Sequence, residues 1–311
     1  MKTPLVSLII PTYNRADLIS ETLDSVVAQT HAHWECLIID DGSTDATEDV
    51  VREYSRNDSR IQYYKRPSHR SKGANACRNY GLELSTGDYI NFYDSDDLLH
   101  PDKLLKQVHA LETSDFDFSV CQSVFFRNSI ENLVQSKERK LISEDPFFDY
   151  VQQKNIWLTQ APLWRTTFLK ENQFTFDEEL MAAQEWEFHC RILCKHRNYH
   201  VTHDVLVFLR LHDDNITSDP KSNGNRIWNY ALARIKIFNY FKAEWSENEL
   251  AYFRRYFIGA YFNLRKMGRH NESKTVLHNH ILNDFKAMYT MVRIIGIENV
   301  YVPLRRIFSK K

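Results

Sequence analysis

The sequence predicts an α/β protein with a mostly parallel sheet, followed by a helical C-terminal extension. Between residues 5 and about 125 short apolar runs alternate with helix-period segments, as strands and crossover helices do. Polar clusters rich in Asp, Asn, Ser and Thr follow several of those runs. Beyond Arg226 the pattern turns helical, with Trp228, Tyr230, Phe238, Tyr240, Phe253, Phe257, Tyr261 and Phe262 set among Lys and Arg and expected mostly in a core.

Taken in order, the predicted strands are Leu5 to Ile10, Trp34 to Asp40, Ile61 to Arg66, Tyr89 to Asp94 and Phe118 to Phe126. The first helix presents Leu18, Thr22, Leu23, Val26 and Val27 on one face. The second opens on Asp45 with Glu48 three residues later, a capping-box arrangement, and the helix after the fourth strand has Pro101 at its first turn. No G-x-G-x-x-G follows the first strand, which argues against a dinucleotide-binding dehydrogenase. Residues 128–145 turn polar and read as a hairpin or mobile loop. Helices are then expected around Phe147 to Gln153 and from Gln184 to His196, with a β-rich stretch running to His212. The polar segment Asp213 to Asn225 marks the domain boundary.

At 311 residues, a main domain plus an appendage is the expectation, and 43% hydrophobic residues suffice for a core. Charge is nearly balanced, 40 basic against 41 acidic residues, so no chain-wide nucleic-acid binding is implied and an anionic ligand must be met locally. The five scattered cysteines read as reduced, buried thiols of a cytosolic protein. Cys190 and Cys194 lie four apart on a helix without a second pair to complete a metal site. The N-terminus is too short before Pro11 for a signal peptide, and no apolar run approaches a bilayer span. The segment Arg293 to Lys311 is apolar and basic; it suits an anionic membrane surface or a terminal helix packed on its domain.

The polar clusters fall where open α/β sheets bind ligands, at strand ends. Pro11, Thr12, Tyr13 and Asn14 follow the first strand; Asp40, Asp41, Gly42 and Ser43 follow the second. Either alone is ordinary turn chemistry, but on adjacent strand ends they suit a nucleoside, a carboxylate accepting from the base and a ring packing on it. After the fourth strand, Asp94, Ser95, Asp96 and Asp97 crowd carboxylates into one turn. Like charges this close are costly without a cation, and hard oxygens suit Mg2+ or Mn2+. Between the clusters, Lys72 and Arg78 sit at a helix start, where basic groups and amides meet phosphates.

PTYNR, IIDDGSTD, GANACRNYG and YDSDD, in this order and at these strand ends, resemble the motifs of the family 2 glycosyltransferases. The resemblance covers roughly Leu5 to His212 and implies the GT-A nucleotide-diphosphosugar-binding fold. It implies that Pro11 to Tyr13 and Asp41 contact the nucleoside, that Arg78 helps hold the nucleotide, and that Asp94 and Asp96, flanking Ser95, form the DxD site for metal and diphosphate. QEWEFHCRIL resembles the family helix whose acidic pair supplies the catalytic base, here Glu185; Gln184 departs from that pair, and Glu replaces the usual Asp. From the residues alone, Glu185 and Glu187 read as a solvated helix face. FLRLH resembles the family Arg-x-His element, making His212 a third metal ligand or phosphate contact.

The resemblance thus implies inverting transfer from a nucleotide-sugar, expected to be a UDP-sugar, with Mn2+ or Mg2+ as cofactor. The acceptor would be a glycan or lipid-linked glycan of a cell-surface polysaccharide or glycolipid pathway. The chain would be cytoplasmic and peripheral at the inner face of the membrane, with a catalytic domain over 1–218, divided near 127, and a helical extension over 219–311. Two rivals are a sugar-phosphate nucleotidylyltransferase and a non-catalytic nucleotide-sugar-binding subunit of a polysaccharide-assembly complex. The first would normally carry a Gly- and Arg-rich loop after the first strand, which PTYNRAD lacks; turnover by the purified chain would exclude the second.

Overall fold

The computed structural model describes residues 3–134, 139–211, 223–241 and 244–295. The chain divides into two compact units, Met1–Asn215 and Ile216–Lys311.

In the first unit, β1 (Val6–Thr12), β2 (Trp34–Asp40), β3 (Ile61–Lys65) and β4 (Tyr89–Phe92) form a parallel half-sheet in the order β3-β2-β1-β4. Every residue of β1 and β2 is buried, the condition of parallel strands covered on both faces, and this explains why they are mostly apolar. The helices α1 (Ile19–Val27), α2 (Thr47–Asn57) and α3 (Ala74–Leu84) link these strands. Gly81 lets α3 lie directly on the sheet, because a Cβ there would stand 2.3 Å from Ile9 Cγ2. Gly81→Ala is therefore expected to cost about 1–3 kcal/mol of stability by overpacking, read as a lower urea midpoint.

The rest of the sheet is mixed. β5 (Leu98–Leu99) is followed by α4 (Lys103–Glu112), β6 (Phe118–Arg127) and β7 (Ser129–Val134), which hairpins onto β6. After α5 (Pro146–Val151), the short β8 (Leu163–Arg165) inserts antiparallel between β4 and β6. Next come α6 (Thr166–Glu171), α7 (Gln184–Leu193) and β9 (His200–Arg210); β9 runs parallel to β6 and pairs antiparallel with β5 at the far edge. An aromatic core supports α7. Phe176 stacks on Phe188 at 4.2 Å and Phe118 on Trp164 at 4.5 Å, while the Tyr150 hydroxyl lies 2.8 Å from His189 Nδ1. Burial pushes the His189 pKa down to about 3, so this core ring stays neutral.

The second unit holds, among the described residues, α8 (Asn223–Tyr240), α9 (Glu247–Lys266), α10 (His270–His280) and α11 (Phe285–Ile295). A Ser246–Glu249 capping box starts α9, and Phe253, Phe257, Ala260 and Leu264 form its buried stripe. Among the described residues no helix is long and apolar enough to cross a membrane.

Several expectations change. Asp45 and Glu48 form no capping box: Asp45 accepts from the Thr47 and Ala16 amides, while Glu48 pairs with Arg52 and Lys65. Ile19 joins the buried face of α1, and Val27, at its last position, is exposed. Pro101 precedes α4, which starts at Lys103. Of the C-terminal aromatics, Tyr240 and Phe262 are exposed because they lie off the packed stripe. All five cysteines are free, with Cys194 only half-buried. The hairpin expected after Asn128 forms as β6–β7, with residues 135–138 outside the described residues. Most of the polar boundary segment and residues 296–311 of the basic terminus also lie outside them.

Candidate active site

The loops after β1 and β2 clasp each other. Asn14 sits at φ 49°, in the left-handed region that Asn tolerates. Its Oδ1 accepts from the Thr44 amide at 2.8 Å, and its own amide donates to Ser43 Oγ at 2.9 Å. Asp40 is turn chemistry, accepting from the Gly42 and Ser43 amides and the Tyr63 hydroxyl. Asp41 accepts from the Gly73 amide at 2.9 Å and the buried Arg66 guanidinium at 2.5 Å. Pro11 and Thr12 are buried within β1, which runs two residues further than predicted, and Tyr13 is 49% exposed.

The carboxylate turn after β4 is tightly held. Asp94 accepts from Arg78 Nη2 at 2.7 Å and from Gln160 Nε2 at 2.7 Å. Asp96 lies 3.6 Å from Arg15 Nη2, and its backbone oxygen accepts from Arg210 Nε at 2.9 Å. Ser95 and Asp97 are buried. Asp97 accepts from the Arg210 amide and shares the Gln160 amide with Asp94. Burial, then the charges of Asp96 and Asp94, hold its carboxyl well above the usual range.

Glu185 opens α7, one residue after the helix start and two after Ala183, whose φ of 58° is left-handed. Its Oε2 accepts from Thr159 Oγ1 at 2.9 Å. Thr159 and Gln160 are consecutive, so one short backbone segment binds Glu185 with one side chain and Asp94 with the next. Burial chiefly, and the Asp94 charge next, raise the Glu185 pKa above its ordinary value, against the Thr159 hydrogen bond and Arg78. Neither α7 glutamate is a solvated surface group: Glu185 is half-buried, and Glu187 is buried and paired with Arg191.

Through the Thr159–Gln160 segment the fold links Glu185 to the turn that holds Asp94, Ser95 and Asp96, with Arg78 on Asp94, and places Asp41 at the end of β2, beyond the intervening β1. Arg78 stands a turn inside α3, buried rather than at the helix start. Lys72 is exposed before Gly73, and His212 lies outside the described residues. Among the described residues no three His, Cys, Asp or Glu side chains gather as a metal cage. The sequence reading missed Arg66, Thr159, Gln160 and the clamp made by Arg210. Parallel register signals Arg66, since Asp40 pairs with Lys65; Arg210 is the arginine of the Arg-x-His resemblance in FLRLH, and nothing local signals Thr159 or Gln160.

The glycosyl transferase family 2 model matches residues 7–171, just over half of the chain. The chain is 44% identical over 118 residues to the putative teichuronic acid biosynthesis glycosyltransferase TuaG of Bacillus subtilis, covering 37% of this chain and 45% of that protein. It is 30% identical over 202 residues to the poly(ribitol-phosphate) beta-glucosyltransferase of Bacillus spizizenii, covering 64% of this chain and 31% of that one. The chain thus spans less than half the length of both curated relatives. In structure it is similar to S. aureus TarS in complex with UDP-GlcNAc, at TM-score 0.65 and 20% identity over 89% of this chain and 80% of that one. It is also similar to the mannosyltransferase PcManGT from Pyrobaculum calidifontis in complex with GDP-Man and Mn2+, at TM-score 0.56 and 15% identity over 100% and 89%. These likenesses identify the fold as GT-A, and with the motif order and the family match they place this chain in glycosyl transferase family 2.

Proposed function

We propose that the chain is an inverting, metal-dependent transferase that moves a sugar from a nucleotide-diphosphate sugar, a UDP-sugar, to a hydroxyl of a glycan acceptor in cell-surface polysaccharide synthesis. The observation that carries this reading is the Thr159–Gln160 segment, which joins a half-buried glutamate of raised pKa to the carboxylate turn. Names of relatives support the pathway: teichuronic acid for one, poly(ribitol-phosphate) for another. The UDP-GlcNAc bound to TarS supports the donor class.

Asp94 and Asp96 would hold Mn2+ or Mg2+ together with the donor diphosphate, a set of hard oxygens that such ions accept from one or two carboxylates plus substrate. The placing of Asp94, Asp96 and the buried Asp97 in one turn, with Gln160 bonded to both Asp94 and Asp97, supports that fit, because a cation offsets like charges held this close. When bound, the ion neutralises charge on the departing nucleoside diphosphate. Arg78 orients Asp94, Arg210 fixes the turn, and Tyr13, Asp41, Pro11 and Thr12 border the nucleoside. Glu185 takes the proton from the acceptor hydroxyl as it attacks the anomeric carbon. No covalent enzyme intermediate is required.

A base must be deprotonated to act, and burial raises the Glu185 pKa. Turnover is therefore expected to fall as pH drops through a limb above the ordinary glutamate value of about 4.3. Measuring kcat between about pH 4 and 8 checks this; a limb at or below the ordinary value would count against Glu185. Nucleotide release from UDP-glucose, UDP-GlcNAc, UDP-glucuronate and GDP-mannose, each with MnCl2, tests the activity itself. Absence of turnover with all four, alongside intact binding, would favour a non-catalytic binding subunit.

A further inference from the structure

Three consecutive carbonyl oxygens behind the candidate site are held by buried side chains. Asn91 Nδ2 donates to Gln160 O at 3.1 Å and to Pro162 O at 2.8 Å. Gln107 Nε2 donates to Ala161 O at 3.0 Å and to Ser119 O at 3.3 Å. Both amides are oriented by one cation: Lys103 Nζ donates to Asn91 Oδ1 at 3.2 Å and to Gln107 Oε1 at 2.8 Å. An amide has one accepting and one donating end, so a donor fixed on each oxygen turns each NH2 toward the backbone of 160–162.

Lys103 is 0% exposed, and among the described residues its ammonium group meets the Asn91 and Gln107 side-chain oxygens and no carboxylate. Burial lowers its pKa to about 8, the signature of an ammonium group held where water cannot reach it. An apolar side chain would fill the same space without the desolvation cost. It would not supply two donors.

We propose that Lys103 is a positioning residue for sugar transfer: through Asn91 and Gln107 it fixes the backbone from which Thr159 meets Glu185 and Gln160 spans Asp94 and Asp97. The inference rests on Glu185 being the base. It also says which kinetic constant should change. The donor-side carboxylates keep independent holds, Arg78 on Asp94 and the Arg210 amide on Asp97, whereas the hydrogen bonding of Glu185 comes from Thr159.

The test is Lys103→Met in the full chain, assayed as nucleotide release from whichever of the four donors turns over fastest, with MnCl2. Turnover should fall roughly 10- to 100-fold, the scale of a small misplacement of a reacting group. Donor KM should stay within about 3-fold. Thr159→Val should show the same split, and the double variant should be no slower than the slower single, because both act along one path. Additive losses, or kcat and KM changing together in a folded protein, would overturn the inference. If Lys103→Met fails to fold by circular dichroism, Gln107→Met, which leaves the ammonium bonded to Asn91, should give the same split at smaller size, and a lack of split overturns the inference equally. Glu185→Gln separates the two levels. Normal turnover in that variant defeats the base assignment, whereas its loss together with additivity of Lys103 and Thr159 defeats only the role of Lys103.

Discussion

Glu185→Gln is expected to lower turnover by roughly 10²–10⁴-fold, the range that a positioned general base contributes. Donor binding should survive, because the hydrogen bonds that join Glu185 to the carboxylate turn run through the Thr159–Gln160 segment and not directly to Asp94 or Asp96. Folding should survive too, since the amide oxygen of Gln can still accept from the Thr159 hydroxyl. Calorimetric titration with UDP and MnCl2, thermal unfolding and nucleotide release together check the three statements. Near-normal turnover would remove Glu185 from the chemistry.

Asp96→Asn is expected to weaken metal-dependent UDP binding by on the order of 100-fold, nearly 3 kcal/mol. The turn itself should hold, because Arg210 grips the backbone oxygen of Asp96 and not its side chain. What the variant removes is charge. One carboxylate at about 4 Å from a cation is worth several kcal/mol at the effective dielectric of a protein surface, and part of that is recovered by water and the remaining Asp94. Titration with UDP in the presence of MnCl2, and again with EDTA, reads the difference. Equal affinities of variant and parent with the metal present would defeat the assignment.

The parallel half-sheet was legible because β1, β2 and β4 are buried on both faces and so read as mostly apolar runs; the bounds of β2 coincide with the predicted ones. β8 was not, since three residues after Pro162 carry no period, and neither was the two-residue β5. The same logic divides the site. Asp41, Asp94 and Asp96 follow strands that the sequence reveals, so their grouping could be argued from strand order. Glu185 rested on family resemblance, because helix spacing alone describes a solvated face. Thr159 and Gln160 were invisible, and so were the partners of Arg210, since these contacts span 26, 66 and 113 residues. Lys103 looked like any helix-start lysine, and only the packing of α4 against the sheet places it in the core.

The insertion of β8 between β4 and β6 also constrains how the chain is made. β4 emerges from the ribosome early, but its second neighbour is encoded some seventy residues later. Until Arg165 is synthesised, a fully buried strand of the finished sheet has one open edge, a template for pairing with the wrong chain. Fragments ending before Leu163 should therefore aggregate, whereas those reaching past α6 close that edge with their own backbone.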